Sequence, residues 1–511
     1  MSSSVEILKN IENTSAKRKQ EILESKDAIK VSGTVYYVSN YGDDSNDGKS
    51  PETAWKTLGK VNEGIETVYP FTQKEDALIK SGDAVLFKRG ELFRGTVFAM
   101  AGVSYGAYGE GEKPKFYGGE MDYADETVWS LYDESKNIWK LNLKMNDPGT
   151  IVFNHGEKHS RKLIPSYRNG KFVCRYDEEK LFDVRNEMTE NLDIFWHFDD
   201  ALHTNPSKGE DFPVPKTGDE FMGELYLRCD EGNPGKVFDS IESIGRGVIF
   251  RVHDKENVTV DNICMKYCCF GVSAGRYSKG LTVTNCEIGW VGGNIQHYNG
   301  TDPNYPQGRR GTVTRYGNCI EIYGGCEDYT VDGNYLYQCY DAGATHQITT
   351  KNKVEMKRIR YSNNLIEYCV YGIEYFLDQI EGERESCMDD VVMCGNIIRL
   401  SGYGWGQQRH NEHTPALIKG WSYVNTAKNY RIYDNIFDRC AYRMLHLVAL
   451  KDEYCPEMHD NTYIQYKGGM IGQYGGNENG EPDIVYFDEN AKKTIENVFK
   501  EKKPKVYMIE E

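Results

Sequence analysis

The sequence has no run of the roughly 18 consecutive apolar residues that a membrane-spanning helix needs. Its first residues, MSSSVEILKNIENTSAKRKQ, lack the apolar core of a secretory leader. Both absences point to a cytoplasmic protein. Basic charge is also in deficit: 61 Lys and Arg stand against 78 Asp and Glu, a formal charge of −17. That balance disfavours nonspecific binding to nucleic acid or to an anionic membrane, and a neutral ligand fits it better. There is no glycine-rich phosphate loop, no dinucleotide fingerprint and no GxSxG elbow. Metal-ligand spacing is missing as well. His410, Glu412 and His413 form an HNEH cluster, which does not put two histidines on one helical face as HExxH does. His155 and His159 have that spacing, but their run HGEKH follows the strand-like TIVFN and has Gly156 where the motif wants Glu. A turn between strands is expected there, and no metal ligand set is assigned.

What the chain does have is repetition. Asn262, Asn285, Asn334, Asn364, Asn396 and Asn435 each sit in nearly the same local sentence: β-branched or aromatic residues, a small or polar residue, Asn, an apolar pair, then a small residue. The segments VTVDNICMKYC, YTVDGNYLYQC and IRYSNNLIEYC carry that frame. Successive intervals are 23, 49, 30, 32 and 39 residues, so the strands keep their length while the loops between them vary. Such a pattern marks a solenoid. A coil of 23 residues is too short for a helical repeat and fits a parallel β-helix, in which each strand pairs with its copies above and below. A buried Asn at a tight bend tolerates left-handed geometry, and stacked copies can hydrogen-bond along the axis. One ladder of all six asparagines is therefore expected. The chain also holds 14 cysteines, but Cys339, Cys369 and Cys440 share one repeat position, with Ser401 standing in. Stacked buried thiols serving as small apolar residues are expected, in keeping with a reducing compartment.

A solenoid grows by adding coils, so 511 residues can form one long domain. Residues 1–34 carry Ile7, Leu8, Ile11, Ile22 and Leu23 at helical spacing and predict a helical arm or cap. Residues 35–119 contain TVYYVSNYGDDSNDGKSPETAWKTLGKVN, SGDAVLFKRGELFRG and GVSYGAYGEGEKPKFYGG. These segments resemble the opening of the right-handed parallel β-helix family, which includes pectate-lyase-like proteins, alginate-epimerase-like proteins and several β-helical glycoside hydrolases. The resemblance implies that SPETAWKTL is a short helix over the first coil and that GDAVLFKRG is the first coil proper. It is specific for fold and not for reaction, because lyases, epimerases, hydrolases and binding modules share it. Residues 120–245 break the ladder with short aromatic-rich strands and read as an inserted β-rich subdomain, which the resemblance places as a wall beside a groove. Residues 246–470 make the main coils, and 471–511 a C-terminal cap or tail. The expected class is thus all-β, a right-handed single-stranded parallel β-helix.

Alternate residues of a strand point outward, so chemistry is expected where outward side chains of successive coils line up. Aligning GVSAG, NCIEIYGG, DAGATHQ, YGIEYFLD, ALIKGW and YRMLHLV puts Glu321, Glu374 and Lys419 in one outward column. Ser273 lies above, one of Ala344, Thr345 or His346 between, and Ile320, Ile322, Ile373 and Ile418 point inward. Asp341 replaces a packing aromatic, because the neighbouring coils are read as carrying Tyr371, Tyr403 and Tyr442 at its position. A packing rule broken beside a row of charges marks a functional place. Strands lie about 4.8 Å apart, so these carboxylates can meet either spacing that glycosidases use. Asp341 and Glu374 are expected as the acid/base pair, with Glu321 supporting one of them. Neighbouring carboxylates raise one another's pKa, which yields an acid and a base near neutral pH.

The inserts supply walls. The most ligand-like, GYGWGQQRHNEHTPALIKGW, brings Trp405, Arg409, His410 and Trp421 near Lys419. Aromatic faces stack on sugar rings, and Arg binds hydroxyls with a forked geometry. Together with His346 and Tyr375 these are the expected substrate-binding residues, with both tryptophans on the groove rim. The reading is a glycoside hydrolase acting on a carbohydrate, with no cofactor required. Calcium in the acidic loops is the one metal that the resemblance to β-helical lyases admits. Two other readings stand beside it. A polysaccharide lyase or uronate epimerase would use Lys419, Arg409 or the Arg309, Arg310 and Arg315 insert. A noncatalytic carbohydrate-binding solenoid would keep the tryptophans without needing a carboxylate pair.

Overall fold

The computed structural model describes residues 3–26, 29–168, 171–174, 177–197, 222–298, 313–409, 414–421, 426–478 and 480–510. Its strands stack in register as parallel copies on three faces, so the chain is a parallel β-helix. The first face runs through Val248–His253, Phe270–Lys279, Ile320–Asp332, Ala342–Thr350, Tyr371–Gln379, Ala416–Gly420, Arg443–Ala449 and Met470–Gly476. The second includes Thr259–Asp261, Thr282–Thr284, Glu355–Ser362, Cys387–Cys394 and Ala427–Tyr433. Ile320–Asp332 is long enough to bend from the first face onto the second, which merges their ladders into one sheet. The third face stacks ten strands from Leu92–Arg94 to Lys505–Ile509. Crossovers between parallel strands of one sheet take the right-handed course that strand twist imposes.

Period-two alternation decides what each face buries. Phe116, Met265, Ile288, Leu336, Ile366 and Ile398 are in register on the third face and have no exposed surface. On the first face Ile320, Ile373, Ile418 and Leu445 do the same. The cysteines follow the sequence reading: Cys339, Cys369 and Cys440 are buried free thiols, and Ser401 pairs with Cys440 in the strand ladder.

The asparagine ladder exists, with one register correction. Asn334, Asn364, Asn396 and Asn435 stack, the last three each receiving the backbone N–H and the side-chain amide of the one before at 2.9–3.1 Å. The sequence reading missed its next rung, Asn461, which Glu501 terminates. Asn262 and Asn285 belong one position earlier. Asp261 and Thr284 pair with Asp332, Ser362 and Cys394, so these two asparagines stand level with Gly333, Asn363 and Gly395. That row has positive φ throughout, 63° at Asn262 and 53° at Asn285. Asparagine suits both rows for different reasons, as a left-handed turn residue in one and a double-ended hydrogen-bonder in the other.

The N-terminal segment forms a helix over Ser4–Leu23, capped by Ser3. It lies as an arm along the third face, where Ile7, Ile11 and Ile22 pack with Tyr335, Leu365, Ile397, Ile464 and Ile509. Glu12 accepts from Arg399 at 2.9 Å and from Arg439 at 3.2 Å, and Arg18 donates to the Asn363 and Gly395 carbonyls. At the start of the stack Trp55 is buried against Tyr36 at 4.6 Å, next to the short helix Leu58–Val61. At the other end the helix Ala491–Val498 feeds Ala491 and Ile495 into the main core together with Phe487 and Phe499.

The segment between Tyr117 and Val248 leaves the stack and builds a five-stranded sheet of its own, with a core around Trp129, Ile151, Ile194, Trp196 and Leu227. Arg94 ties it to the coils through Glu242 at 2.6 Å, and the Asn294 amide donates to the Asp147 and Ile244 carbonyls. A fully buried Lys162–Asp147 pair sits at this junction, where burial pulls the lysine pKa down to about 8 against the pull of Asp147. The HGEKH run is a turn and short strand pairing back on Ile151–Phe153, as expected.

Candidate active site

The first face carries a polar column along its outer side. Arg251, Ser273, Glu321, Thr345, Glu374, Lys419, His446 and Gln473 stand in register on successive strands. Glu321, Glu374 and Lys419 are therefore where the sequence placed them, and Thr345 is the residue between the glutamates. Glu321 and Glu374 are two strand spacings apart, about 10 Å along the floor.

Each carboxylate has a different partner. Glu321 is partly exposed and accepts from the Asn318 amide at 2.7 Å, while the Asn318 carbonyl oxygen accepts from the Ala342 N–H at 2.8 Å. Burial by the surrounding protein pushes the Glu321 pKa up to about 7; the charges of Asp341 and Glu374 add to that, against the hydrogen bonds from Asn318 and Ser273. Asp341 is 7 % exposed and forms an ion pair with Arg409. Arg409 lies over the rings of Tyr371 and Tyr340 at 5.4 and 5.7 Å. Burial opposes its charge, but Asp341 and the neighbouring tyrosines outweigh burial and raise its pKa. Glu374 accepts from the Trp421 indole N–H at 2.7 Å and faces Lys419 Nζ at 3.7 Å. Burial raises the Glu374 pKa, Lys419 opposes, and Asp341 adds to the rise. The Lys419 ammonium sits 3.9 Å from the Tyr371 ring centre and 3.7 Å from that of Trp421. His446 is held neutral: burial, then the charges of Arg443 and Lys419, push its pKa down to about 3.

Asp341 does not share a row with Tyr371, as the sequence alignment had it. Ala342 pairs with Tyr371, which puts Asp341 level with Val370, a shift of one residue at the bend. Three further expectations are corrected. His346 has no exposed surface and points into the core, with Nδ1 2.8 Å from the Tyr361 hydroxyl. Burial pushes its pKa down to about 3. Tyr375, also inward, stacks on that imidazole at 5.5 Å. Thr345 is the outward residue, so its neighbour must face in; Gly420 leaves room for Tyr375, since a Cβ there would lie 2.3 Å from the ring. Trp405 is not on the rim. It is fully buried against Tyr340, its indole N–H bonded to the Gln338 carbonyl at 2.8 Å, and it pins the loop that delivers Arg409. Gln408 ties the same loop to the inserted subdomain through Ser160 and Lys162. Trp421 does stand at the groove. His410 lies outside the described residues, as do Glu412, His413, Arg309 and Arg310. Arg315 is buried, bonds to the Gly293 and Gly149 carbonyls and lies over the Tyr340 ring at 4.6 Å.

Residues that the sequence reading did not single out complete the site. Asn318 stands three places before Glu321, and Tyr371 floors the Lys419 and Arg409 cations. The side chains of Thr345 (Oγ1), His446 (Nδ1) and Arg443 (Nε) are buried at these atoms and have no hydrogen-bond partner among the described residues. Buried polar atoms are normally satisfied, so this concentration beside three carboxylates marks a place built to meet a ligand.

No known family profile matches the chain, and no curated protein matches it in sequence. Solved structures do resemble it. One is the complex of XylC with xylose, at 10 % identity over 93 % of this chain and 83 % of that one, with a TM-score of 0.39. Another is the GH136 lacto-N-biosidase from Eubacterium ramulus, at 13 % identity over 93 % and 68 %, TM-score 0.39. A third is a rhamnogalacturonan lyase, at 10 % over 86 % and 77 %, TM-score 0.28. This chain is a right-handed parallel β-helix. Its site residues rest on its own geometry, since identities of 10–13 % carry no residue across.

Proposed function

We propose that the groove hydrolyses a glycosidic bond of an oligosaccharide or polysaccharide. The observation that carries the reading is the convergence of Glu321, Asp341 and Glu374 on successive coils, with Glu321 holding its proton to about pH 7. A protonated carboxyl at neutral pH is what a general acid must be. In this reading Glu321 donates its proton to the leaving oxygen. Glu374, oriented by the Trp421 N–H and by Lys419, takes the proton of an attacking water. Thr345 is the small residue between the two, and its buried hydroxyl has no hydrogen-bond partner among the described residues. A separation of about 10 Å between strand positions suits the roughly 6.5–9.5 Å carboxyl spacing of inverting enzymes better than the roughly 5 Å of retaining ones. Asp341, neutralised by Arg409, stays close enough to raise the pKa of both glutamates. The roles of Glu321 and Asp341 are thereby exchanged relative to the expectation from sequence.

The test is turnover on an oligosaccharide panel, read for new reducing ends, for product anomer by NMR and for ultraviolet absorbance of an unsaturated uronate. Inverted product is expected, and Glu321→Gln and Glu374→Gln should each lower kcat by roughly a hundredfold to ten-thousandfold. An unsaturated product would instead favour a lyase using Arg409 and Lys419. If both variants melt like the parent and keep more than about a tenth of its activity, neither glutamate is the acid or base.

A further inference from the structure

A large cleft lies away from the groove. It opens on the third face, has a volume of about 1330 Å³, and none of the groove carboxylates lines it. Its floor consists of two outward rows of the sheet. One carries Lys115, Cys264 and Glu287; the other carries Tyr117, Lys266, Gly289 and Tyr337. Farther along the stack the first row becomes Tyr335, Leu365 and Ile397, which the arm covers. The arm helix ends at Leu23, where the apolar surface ends, and the residues after it become one wall of the cleft. Lys113 locks that wall in place: it is buried, and its ammonium donates to the Ser25 hydroxyl at 2.9 Å and to the Asn262 side chain. Trp290 and Gly156 close the other side. Floor and walls are thus held by paired strands and buried hydrogen bonds, the rigid setting that a preformed site requires.

The floor's chemistry narrows the ligand. Lys266 and Glu287 face each other at 2.7 Å, and the Tyr337 hydroxyl donates to the same glutamate at 2.9 Å. Lys115 is matched by Glu112 at 2.6 Å. The floor's charges are paired, and the whole lining sets six Lys and Arg against five Glu, so an ionic ligand would find little surplus of either sign. Carboxylate oxygens and ammonium hydrogens keep further bonding capacity toward hydroxyl groups. Gly289 lets the Tyr337 ring lie across the face, since a Cβ there would meet the ring at 2.3 Å. Tyr337 stacks on Tyr335 at 4.4 Å, and Tyr117 meets Tyr267 edge-on at 4.8 Å. Rigid aromatic rings beside fixed hydrogen-bonding pairs fit a molecule with apolar faces and hydroxyl edges. The volume exceeds the roughly 300–1,000 Å³ of drug-sized pockets, which leaves room for more than one ring.

We propose that this cleft is a second carbohydrate site, which binds a neutral oligosaccharide and performs no chemistry on it. It stands on a different face from the groove and does not depend on the reaction assigned there.

The experiment is calorimetric titration of xylohexaose, cellohexaose and mannohexaose into Glu321→Gln/Glu374→Gln, which blocks turnover if the groove works as proposed. Saturable binding of at least one is expected. It should survive addition of Trp421→Ala and weaken at least about tenfold, a loss of about 1.4 kcal/mol, when Lys266→Met/Glu287→Gln is added instead. That pair of substitutions leaves the cleft's net charge unchanged and its side chains close in size; Tyr117→Leu, on the floor's aromatic edge, is a second variant with the same expectation. Binding by none of the three sugars overturns the proposal. So does binding that Trp421→Ala abolishes, or that neither cleft variant changes. A failure of the hydrolase reading appears separately, as absence of turnover by the parent protein.

Discussion

Two tryptophans that look alike in the sequence do different things. Trp421 donates its indole N–H to Glu374, whereas Trp405 is packed and bonded to a backbone carbonyl. Trp421→Phe should lower kcat by roughly tenfold to a hundredfold, the worth of a hydrogen bond to a charged group, with little change in melting. Trp405→Ala should cost about 3–5 kcal/mol of stability, with a smaller loss of rate in the folded fraction than Trp421→Phe causes. Urea unfolding beside kcat separates the two. Glu321 makes a pH prediction. Its pKa is about 7 in the folded protein and near the ordinary 4.5 in the unfolded chain, so the folded state binds the extra proton between those values. Its contribution to stability is therefore full below about pH 4.5 and is lost as the pH rises to about 7, on the order of 3 kcal/mol. Parent protein should lose melting temperature between pH 5 and pH 8 relative to Glu321→Gln, and its turnover should fall above about pH 7. Strand parity made Glu321, Glu374 and Lys419 readable in advance. Side-chain type alone could not tell that Trp405, His346 and Tyr375 face inward, because an aromatic or imidazole serves a core and a groove equally well. Asp341 was read one row out because a bend precedes it, and alternation says nothing across a bend.

At the scale of an element, the asparagine ladder is the clearest device. Asn364 accepts from Asn334, donates to Asn396 and bonds the Val331 carbonyl, all within a buried column. Asn364→Ala leaves several of these groups unpaired at about 1–3 kcal/mol each. Chemical denaturation should show a loss of at least about 3 kcal/mol, more than most single substitutions cause. Asn285→Gly, one row earlier at φ 53°, keeps the left-handed backbone and loses one hydrogen bond, from the amide to Asp261 at 2.8 Å, so it should cost about 1.5 kcal/mol, less than Asn364→Ala. Equal effects at both positions would mean that the two rows are not distinct. The sequence grammar could see that asparagine recurs but not that two adjacent rows both favour it, and Asn363 with Asn364 fills both at once. The third-face cleft escaped notice for a related reason. Its Lys, Glu and Tyr residues lie three strands apart in space but up to 222 positions apart in the chain, from Lys115 to Tyr337.

At the scale of the molecule, the formal charge of −17 says little about either concave site, since each sets its charges in pairs or small clusters. The arm matters more. Removing residues 1–26 would uncover Tyr335, Leu365, Ile397, Ile464 and Ile509 as one apolar strip and leave Arg399 without Glu12. Exposed strips of this kind drive association. The truncated protein should bind a hydrophobic dye, melt lower and self-associate in sedimentation; a monomer that melts like the parent would show that the arm is dispensable. Composition and repeat spacing made the solenoid and the insertion legible. They could not show that the arm lies along a flank, because helical periodicity gives a helix its apolar stripe without giving the stripe's destination.

The arm also has a consequence for synthesis. Its stripe rests on Ile464 and Ile509, and the Glu510 N–H donates to the Ser4 hydroxyl at 3.1 Å, 506 positions away. Translation proceeds at about 5–20 residues per second, so the arm waits on the order of half a minute or more for the distant strand it docks on. During that interval coils can stack one by one from the N-terminal end, as solenoids fold, while the flank stays uncovered. Closure of the flank thus cannot precede synthesis of Lys505–Ile509, and a chain stalled before that strand would present the quality-control machinery with a free amphipathic helix and the bare strip that it should cover.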